Sequence, residues 1–313
     1  MVRKVQINLV GGVGNQLFTY SAGYFLSLQR GVEFHPRILK PAFGDTKHSS
    51  SINDLSIFPK AAEISGRKSK YWRIISRFRR EILRYLPIME HFLESRKYSS
   101  NVIGYDEKFD STNANEIEGY FQTFKYIQRI LETQPNFLNL EAESPSEWYL
   151  KTKKEIALEQ IVGIHVRGGD YLREINGPIG NLSSEYYENA VKLFQKIVDA
   201  DKFKYYIFTD DPEYAKKLLG NASFSSRMKV VVPPRDSKPT ESLLLMSQAQ
   251  VQVISNSTFA WWSGYLGSKN SLVIAPSKWF KEKDDPSYLI PENWRVCEST
   301  WSSKNSIDKV VKS

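Results

Sequence analysis

Cysteine is almost absent from this sequence, and long hydrophobic runs are absent altogether. The single cysteine, Cys297, excludes an intramolecular disulfide and favours a reducing compartment. No stretch reaches the roughly 18 consecutive apolar residues that a membrane-spanning helix needs. The first ten residues alternate like a β-strand and lack the apolar core of a signal peptide. We therefore expect a cytoplasmic protein, or one bound peripherally to the inner face of the cell membrane.

Histidine is scarce, and the spacing of its residues does not suit a metal site. The four histidines stand far apart in the sequence and far from the cysteine: His35, His48, His91 and His165. Two acidic pairs, Asp199–Asp201 and Asp284–Asp285, are predicted to lie in solvated turns, the first between a helix and a strand, the second before a proline. We therefore expect neither a bound metal nor a cofactor.

The positive charge of the chain is concentrated in one segment. The net charge is +8, and residues 67–84 alone hold eight basic residues and one acid, Glu81, which gives a net +7. The rest of the sequence is nearly neutral, so a nucleic-acid-binding face spread over the protein is not expected. The segment is predicted to form a basic amphipathic helix, which is either a solvated face or a patch that docks on an anionic membrane.

The pattern of apolar residues predicts two α/β domains. A length of 313 residues suits two domains of ordinary size, which we place at residues 1–150 and 151–313, with the last residues packing back on the N-terminal domain. The polar residues 139–154 are the expected boundary region. The first domain opens with a strand, a glycine loop and a helix that ends at Gly31. In the second domain helices alternate with strands, which predicts a doubly wound parallel sheet; the strands are expected at 161–166, 204–208, 229–232, 251–254 and 271–274.

A glycine loop follows the first predicted strand. Gly11-Gly12-Val13-Gly14-Asn15-Gln16 places small residues between a strand and a helix, where the backbone can approach an anion or a sugar closely. Asn15 is predicted to cap the helix. A tight strand–helix turn without a ligand explains the same residues equally well.

The segment His165-Val166-Arg167-Gly168-Gly169-Asp170 follows a buried strand of the second half. The carboxyl end of such a strand delivers side chains to a ligand, and the planar, permanently charged guanidinium of Arg167 suits a phosphate. We therefore predict that Arg167 stabilises charge on a departing phosphate. A purely structural pair between Arg167 and Asp170 is the alternative.

Two further polar segments follow predicted strands. Asp210-Asp211-Pro212 starts a helix, so one aspartate caps it while the other can accept hydrogen bonds from a ligand such as guanine. Ser255-Asn256-Ser257-Thr258-Phe259 leads into another helix, whose N-terminal N–H groups and dipole suit a phosphate. Trp261 and Trp262 lie inside that helix and are predicted to pack in the core.

Together these segments resemble one family. With Gly119-Tyr120-Phe121-Gln122 and Lys125-Tyr126, they occur in the order seen in α-1,2-fucosyltransferases of glycosyltransferase family 11. The resemblance covers about residues 5–280, and its specificity lies in the combination of the motifs. It implies a GT-B architecture, an α/β fold of two Rossmann-like domains facing across a cleft. The first domain would take the acceptor, and the second would hold GDP-β-L-fucose.

The resemblance also implies a reaction and a set of residue roles. L-Fucose would move, with inversion and without a metal, to the 2-hydroxyl of an acceptor in surface glycan synthesis. The acceptor would be a terminal β-galactoside on an oligosaccharide or a lipid-linked glycan. Arg167 and Asp170 are the catalytic candidates. The donor would meet His165, Arg167, Asp210, Asp211, Asn256, Ser257, Thr258 and Phe259, and the donor or the acceptor would also meet Gly12, Gly14, Asn15 and Gln16.

One position departs from the family pattern. The family usually carries two consecutive arginines, and the second position here is Gly168. A transferase of the same fold with another nucleotide sugar or acceptor position is therefore the first alternative, and a non-enzymatic basic protein of the membrane surface is the second. The sequence shows no clear general base, so either Asp170 or the departing phosphate itself takes the proton of the acceptor.

A membrane role for residues 67–84 predicts binding to anionic lipid. Each basic residue near such a surface adds about 1 kcal/mol, so we expect the protein to float with phosphatidylserine vesicles in a density gradient and not with phosphatidylcholine vesicles. Replacing Arg73, Arg77, Arg80 and Arg84 by glutamine should abolish this flotation. Flotation that survives the four substitutions would rule the membrane role out.

Overall fold

The protein folds into two compact units. A computed structural model describes residues 4–38, 57–58, 97–142, 144–169, 177–267 and 269–303, and the basic segment 67–84 lies outside these ranges. The first unit comprises Met1–Asn139 and Pro286–Leu289, and the second comprises Leu140–Asp285 and Ile290–Ser313. The boundary therefore falls eleven residues before the expected position 150. The segment that returns to the first unit is 286–289, whereas residues 290–303 stay with the second unit.

The described part of the first unit is built on a parallel sheet. The strands β1 (Lys4–Leu9), β2 (Glu33–Ile38), β3 (Lys97–Ser99) and β4 (Glu116–Glu118) lie in the order β2-β1-β4-β3. The described helices of this unit are α1 (Val13–Arg30), between β1 and β2, α2 (Glu107–Asp110), between β3 and β4, and α3 (Phe124–Thr133), after β4. Sequence reasoning missed β2 because Pro36 cannot donate to a ladder, but a proline is tolerated on a strand at the edge of a sheet.

Helix α1 begins two residues earlier than its predicted cap. Gly12 is the N-cap residue in an extended conformation, without a side-chain hydrogen bond, so the prediction that Asn15 caps the helix is wrong. Asn15 lies instead in the first turn, where its side chain can serve another purpose. The predicted end is confirmed, because Gly31 adopts the left-handed conformation with φ 61° and its N–H closes the last turn.

The second unit contains a six-stranded parallel sheet. Its strands are β5 (Gln160–Val166), β6 (Phe203–Thr209), β7 (Met228–Val231), β8 (Val251–Val253), β9 (Leu272–Pro276) and β10 (Arg295–Cys297), in the order β10-β9-β8-β5-β6-β7. The connecting helices are α4 (Glu147–Ala157), α5 (Ser184–Gln195), α6 (Pro212–Leu219), α7 (Pro239–Met246) and α8 (Thr258–Gly267). The five predicted strands and the parallel sheet are confirmed. The last strand, β10, was not expected.

The core of the second unit is aromatic as well as aliphatic. The predicted burial of Trp261 and Trp262 is confirmed, since both side chains are fully buried and their rings meet edge to face. Across the described residues, no helix is long and apolar enough to cross a membrane.

A buried carboxylate holds the first helix of the second unit in place. The side chain of Glu241, on α7, is almost fully buried and accepts hydrogen bonds from the backbone N–H and the hydroxyl of Ser146, at 2.7 and 2.8 Å. The same hydroxyl caps α4 by accepting from the N–H of Tyr149. Residues 147–157 are therefore a helix of the second unit, although residues 139–154 were expected to separate the domains.

Removing the Glu241 carboxylate should destabilise the second unit. Glu241→Ala leaves the N–H of Ser146 without its acceptor, and losing hydrogen bonds to a buried charged group should lower the free energy of unfolding by about 2–3 kcal/mol. Urea denaturation followed by tryptophan fluorescence measures the change. Glu147→Gln alters an exposed carboxyl one residue from the cap and should change stability by less than about 0.5 kcal/mol. Equal stability of the wild type and Glu241→Ala would contradict this role of the carboxylate.

Candidate functional site

The sheet of the second unit reverses its strand order between β5 and β8. From β5 the chain builds outward through β6 and β7, and it then returns to the other side of β5 with β8, β9 and β10. In open parallel sheets, ligands bind beyond the carboxyl ends of the strands at this reversal. The donor-site residues predicted from the sequence lie in or directly after the three central strands β5, β6 and β8.

His165 and Ser255 link the two strands at the reversal point. Nδ1 of the buried His165 lies 2.7 Å from the hydroxyl of Ser255. Burial, and secondarily the positive charge of Arg167, lowers the pKa of His165 to about 3. The imidazole is therefore neutral near neutral pH and offers one donor and one acceptor rather than a charge.

Arg167 and Asp210 leave the sheet side by side. Because Val166 pairs with Thr209 in register, the next residues of the two strands are neighbours at the carboxyl edge. Nη1 of Arg167 forms an ion pair with Oδ2 of Asp210 at 2.8 Å, and both side chains are partly exposed. The other carboxylate oxygen of Asp210, Oδ1, accepts a hydrogen bond from the N–H of Gly168, also at 2.8 Å. One carboxylate thus holds both the arginine and the turn that follows it.

The two glycines after Arg167 are required by this packing. A Cβ atom on Gly168 would lie 2.7 Å from Cβ of Asp211, and one on Gly169 would lie 2.5 Å from Oδ2 of Asp210. Gly169 also has φ +45°, a backbone conformation that residues other than glycine rarely adopt. The space next to Gly168, where the resemblance leads us to expect a second arginine, is therefore filled by the turn between β6 and α6.

Asp211 is the predicted helix cap. Its Oδ1 accepts a hydrogen bond from the N–H of Tyr214 at 3.1 Å, and Pro212 occupies the first turn of α6. The prediction that one aspartate of the pair caps the helix is confirmed. The other, Asp210, was expected to await a ligand, but it binds Arg167 and Gly168.

In the segment after β8, Asn256 as well as Ser255 has an internal role. Nδ2 of the buried Asn256 lies 3.1–3.3 Å from the carbonyl oxygens of Ile179, Gly180 and Trp279, so this side chain joins two loops at the edge of the sheet. The carbonyl of Ser257 accepts from the N–H of Trp261, and α8 begins with Thr258. The N-terminus of α8 therefore presents N–H groups beside His165, whose ring lies 5.5 Å from that of Phe259.

The sheet of the first unit reverses between β1 and β4, and its glycine loop follows β1 there. The side chain of Asn15 accepts a hydrogen bond from Nε2 of Gln122, 3.0 Å away, after β4. Gln16 donates to the carbonyl of Gly11 and closes the loop on itself. Gly12 differs from its neighbour Gly11, because a Cβ atom on Gly12 would meet no atom of the part of the chain that the structure describes within 4 Å, whereas Gly11 has a φ of +76°, which favours glycine.

The structure thus brings the predicted residues together in two groups. His165, Arg167, Asp210, Asp211 and Asn256–Phe259 surround the carboxyl edge of the second sheet, while Gly12, Gly14, Asn15 and Gln16 surround that of the first. Asp170 lies outside the described residues. Sequence reasoning left out Ser255 and Gln122 as site residues, although both stand within a few residues of a strand end. Within the described ranges, no three His, Cys, Asp or Glu side chains are grouped so that they could hold a metal ion.

Adding the second arginine of the family pattern should not improve nucleotide binding. Gly168→Arg forces Cβ against Asp211, and such overpacking costs about 1–3 kcal/mol. We expect a lower melting temperature and no gain in GDP affinity, measured by differential scanning fluorimetry and calorimetric titration. Gly168→Ala carries the clash without the charge and should show a similar loss of stability. Tighter GDP binding by Gly168→Arg at an unchanged melting temperature would contradict the steric argument.

Comparison with known proteins identifies the family. The model of glycosyl transferase family 11 matches residues 87–295, about two thirds of the chain. Over 93% of its length the chain is 26% identical to the alpha-1,2-colitosyltransferase of Escherichia coli, covering 97% of that protein. It is 24% identical to the O-antigen biosynthesis glycosyltransferase WbnK of Escherichia coli, over 91% of the chain and 98% of the relative.

A solved structure shows the same fold. A mutant of Arabidopsis thaliana FUT1 in complex with GDP superposes with a TM-score of 0.50 at 10% identity, covering 96% of this chain and 74% of that one. With the two parallel-sheet units, this likeness confirms the GT-B-type α/β fold class. Because the family model spans most of the second unit and part of the first, the chain belongs to glycosyl transferase family 11.

Proposed function

We propose that this glycosyltransferase moves L-fucose from GDP-β-L-fucose to the 2-hydroxyl of a terminal β-galactoside, with inversion and without a metal. The observation that carries the proposal is the position of Arg167 directly after β5, at the sheet reversal, where the neighbouring strand β8 leads into the ten-residue helix α8 and where His165 is neutral. A guanidinium and helix N–H groups are both suited to a diphosphate.

The proposed step breaks one bond and forms one. The acceptor oxygen attacks the anomeric carbon on the face opposite the phosphate, and the bond from that carbon to the β-phosphate oxygen breaks with its electron pair. The products are the α-linked fucoside, GDP and a proton. Arg167 stabilises the negative charge that grows on the phosphate. Such electrostatic stabilisation of the transition state is usually the largest single contribution to catalysis. Asp170 or the departing phosphate receives the proton of the acceptor.

The first unit would take the acceptor. Gly12 is the N-cap of α1, and a Cβ atom there would meet no atom of the described residues within 4 Å, so a ligand could approach this part of the backbone closely. Asn15 and Gln122 hold each other beside it and offer amide groups of the kind that recognise sugar hydroxyls. Phe121, between Gly119 and Gln122, is buried at φ 51°, and such strained residues cluster at functional sites.

A second donor is favoured by one comparison. The relative at 26% identity is a colitosyltransferase, and colitose is L-fucose without its 3-hydroxyl. The two donors share the GDP part, so the contacts of the second unit serve both. The choice between them depends on whether the site hydrogen-bonds a 3-hydroxyl, because a site built for that group rejects an analogue lacking it.

The similarity to WbnK supports a place in O-antigen or capsule synthesis. The acceptor in such synthesis is an oligosaccharide or a lipid-linked glycan on the inner face of the cell membrane. Peripheral binding through residues 67–84 would bring the enzyme to it. Family membership favours this enzymatic role over a non-enzymatic membrane-surface protein.

Turnover against paired donors tests the proposal. We expect transfer from GDP-fucose, or from GDP-colitose, to a β-galactoside in an acceptor array, and Arg167→Ala should lower kcat by about 100- to 1,000-fold through loss of one charge-stabilising group. Arg295→Ala removes an exposed arginine of β10 and should leave turnover unchanged. GDP should raise the melting temperature through mass action, whereas UDP and RNA should not. Transfer only from a UDP-sugar, or an Arg167→Ala variant as active as the wild type, would overturn the proposal.

A further inference from the structure

Asp210 is committed to its own protein by three separate features. Oδ2 binds Nη1 of Arg167, Oδ1 binds the N–H of Gly168, and Gly169 lacks the side chain that would displace Oδ2. These contacts join the ends of β5 and β6 at the point where Arg167 leaves the sheet. A carboxylate whose role was only to bind a ligand would need none of these three features.

We propose that Asp210 is a positioning residue, which fixes the direction of the Arg167 guanidinium for the donor diphosphate and does not itself bind guanine. This inference rests on the proposed function. A guanidinium carries five N–H donors in a rigid fork, so an ion pair through Nη1 sets the orientation of the whole group. The hydrogen bond to Gly168 fixes the backbone from which that fork extends.

Neutralising Asp210 should change GDP binding in opposite directions, depending on whether Asp210 acts only through its charge or by positioning Arg167. Asp210 is a negative charge beside the proposed site of a polyanion, so neutralising it would by Coulomb attraction alone tighten GDP binding. If Asp210 positions Arg167, neutralisation has the opposite result, because the guanidinium loses its fixed geometry. Misplacement of a catalytic group by about 1 Å costs on the order of 100-fold in rate.

The test compares Asp210→Asn with a matched carboxyl change three residues later, at Glu213. Asp210→Asn keeps an acceptor for Gly168 and nearly the same shape, and we expect kcat/KM for the GDP-sugar to fall about 10- to 100-fold with little change in melting temperature. Glu213→Gln neutralises an exposed acid in the first turn of α6, whose partner is Lys216, and should behave as wild type. Gly169→Ala displaces Oδ2 without altering any charge and should reproduce the kinetic loss. Asp210→Asn kinetics equal to or better than wild type would overturn the inference.

A double-variant comparison separates positioning from direct binding. In the Arg167→Ala background, Asp210→Asn should change kcat/KM by less than about threefold, since the residue acts through an arginine that is no longer present. The ratio of GDP to IDP affinity should also be unchanged by Asp210→Asn, because IDP lacks the exocyclic amino group that a carboxylate would recognise. A further full loss in the double variant, or a collapse of the GDP to IDP ratio, would show that Asp210 contacts the nucleotide.

The experiments distinguish a failure of the positioning role from a failure of the proposed function. Wild-type turnover together with unchanged Asp210→Asn kinetics counts against the positioning role alone. Absence of wild-type turnover with every GDP-sugar counts against the proposed function alone. The positioning role is then read from the melting-temperature shift caused by inorganic pyrophosphate, which should be smaller for Asp210→Asn than for Glu213→Gln; equal shifts would overturn it.

Discussion

The carboxylate of Asp210 joins the ends of two neighbouring strands, and the arrangement of the loops after β5 and β6 depends on this group. Its two oxygens reach Arg167 and the N–H of Gly168 at 2.8 Å, which draws the chain after β5 against the turn that starts α6. A side chain at position 169 would meet Asp210 itself, and one at position 168 would meet the next residue, Asp211. The identity of the two glycines, the capping by Asp211 and the direction of Arg167 are therefore parts of one packing arrangement rather than separate features.

The two units solve the same physical problem in the same way. In each, the strand order reverses, and polar side chains from the two sides of the reversal hydrogen-bond to each other: His165 to Ser255 in the second, Gln122 to Asn15 in the first. Such pairing satisfies polar groups that stand at the ends of buried strands, where an unpaired group would cost about 1–3 kcal/mol. It also keeps the side chains in one conformation, so a ligand meets groups that are already oriented.

The sequence predicted most strands of the second sheet because their apolar runs end in glycine, aspartate or serine, and the cap at Asp211 followed from the proline after it. Three features of the structure were not predicted from the sequence. Strand β2 contains Pro36, α4 is rich in charge and depends on the distant Glu241, and Asp210 finds its partner 43 residues away. The last contact requires the register of β5 with β6, which local sequence does not encode. Asn15 was misplaced because a glycine with ordinary φ can serve as an N-cap without any side chain.

The packing around Gly168 also explains how a single arginine can stand where the family usually has two. A second guanidinium would add charge, but a side chain at this position would have to displace Asp211, which follows the Asp210 that holds the first arginine. The Arg167–Asp210 pair is close to neutral as a unit, so the proposed binding of a diphosphate would rest on hydrogen-bond direction more than on net charge. The dipole at the start of α8 supplies positive potential from the neighbouring strand. Under the proposed function, geometry would take over part of the role of the missing charge, and the fixed orientation of Arg167 would matter more here than in a site with two arginines.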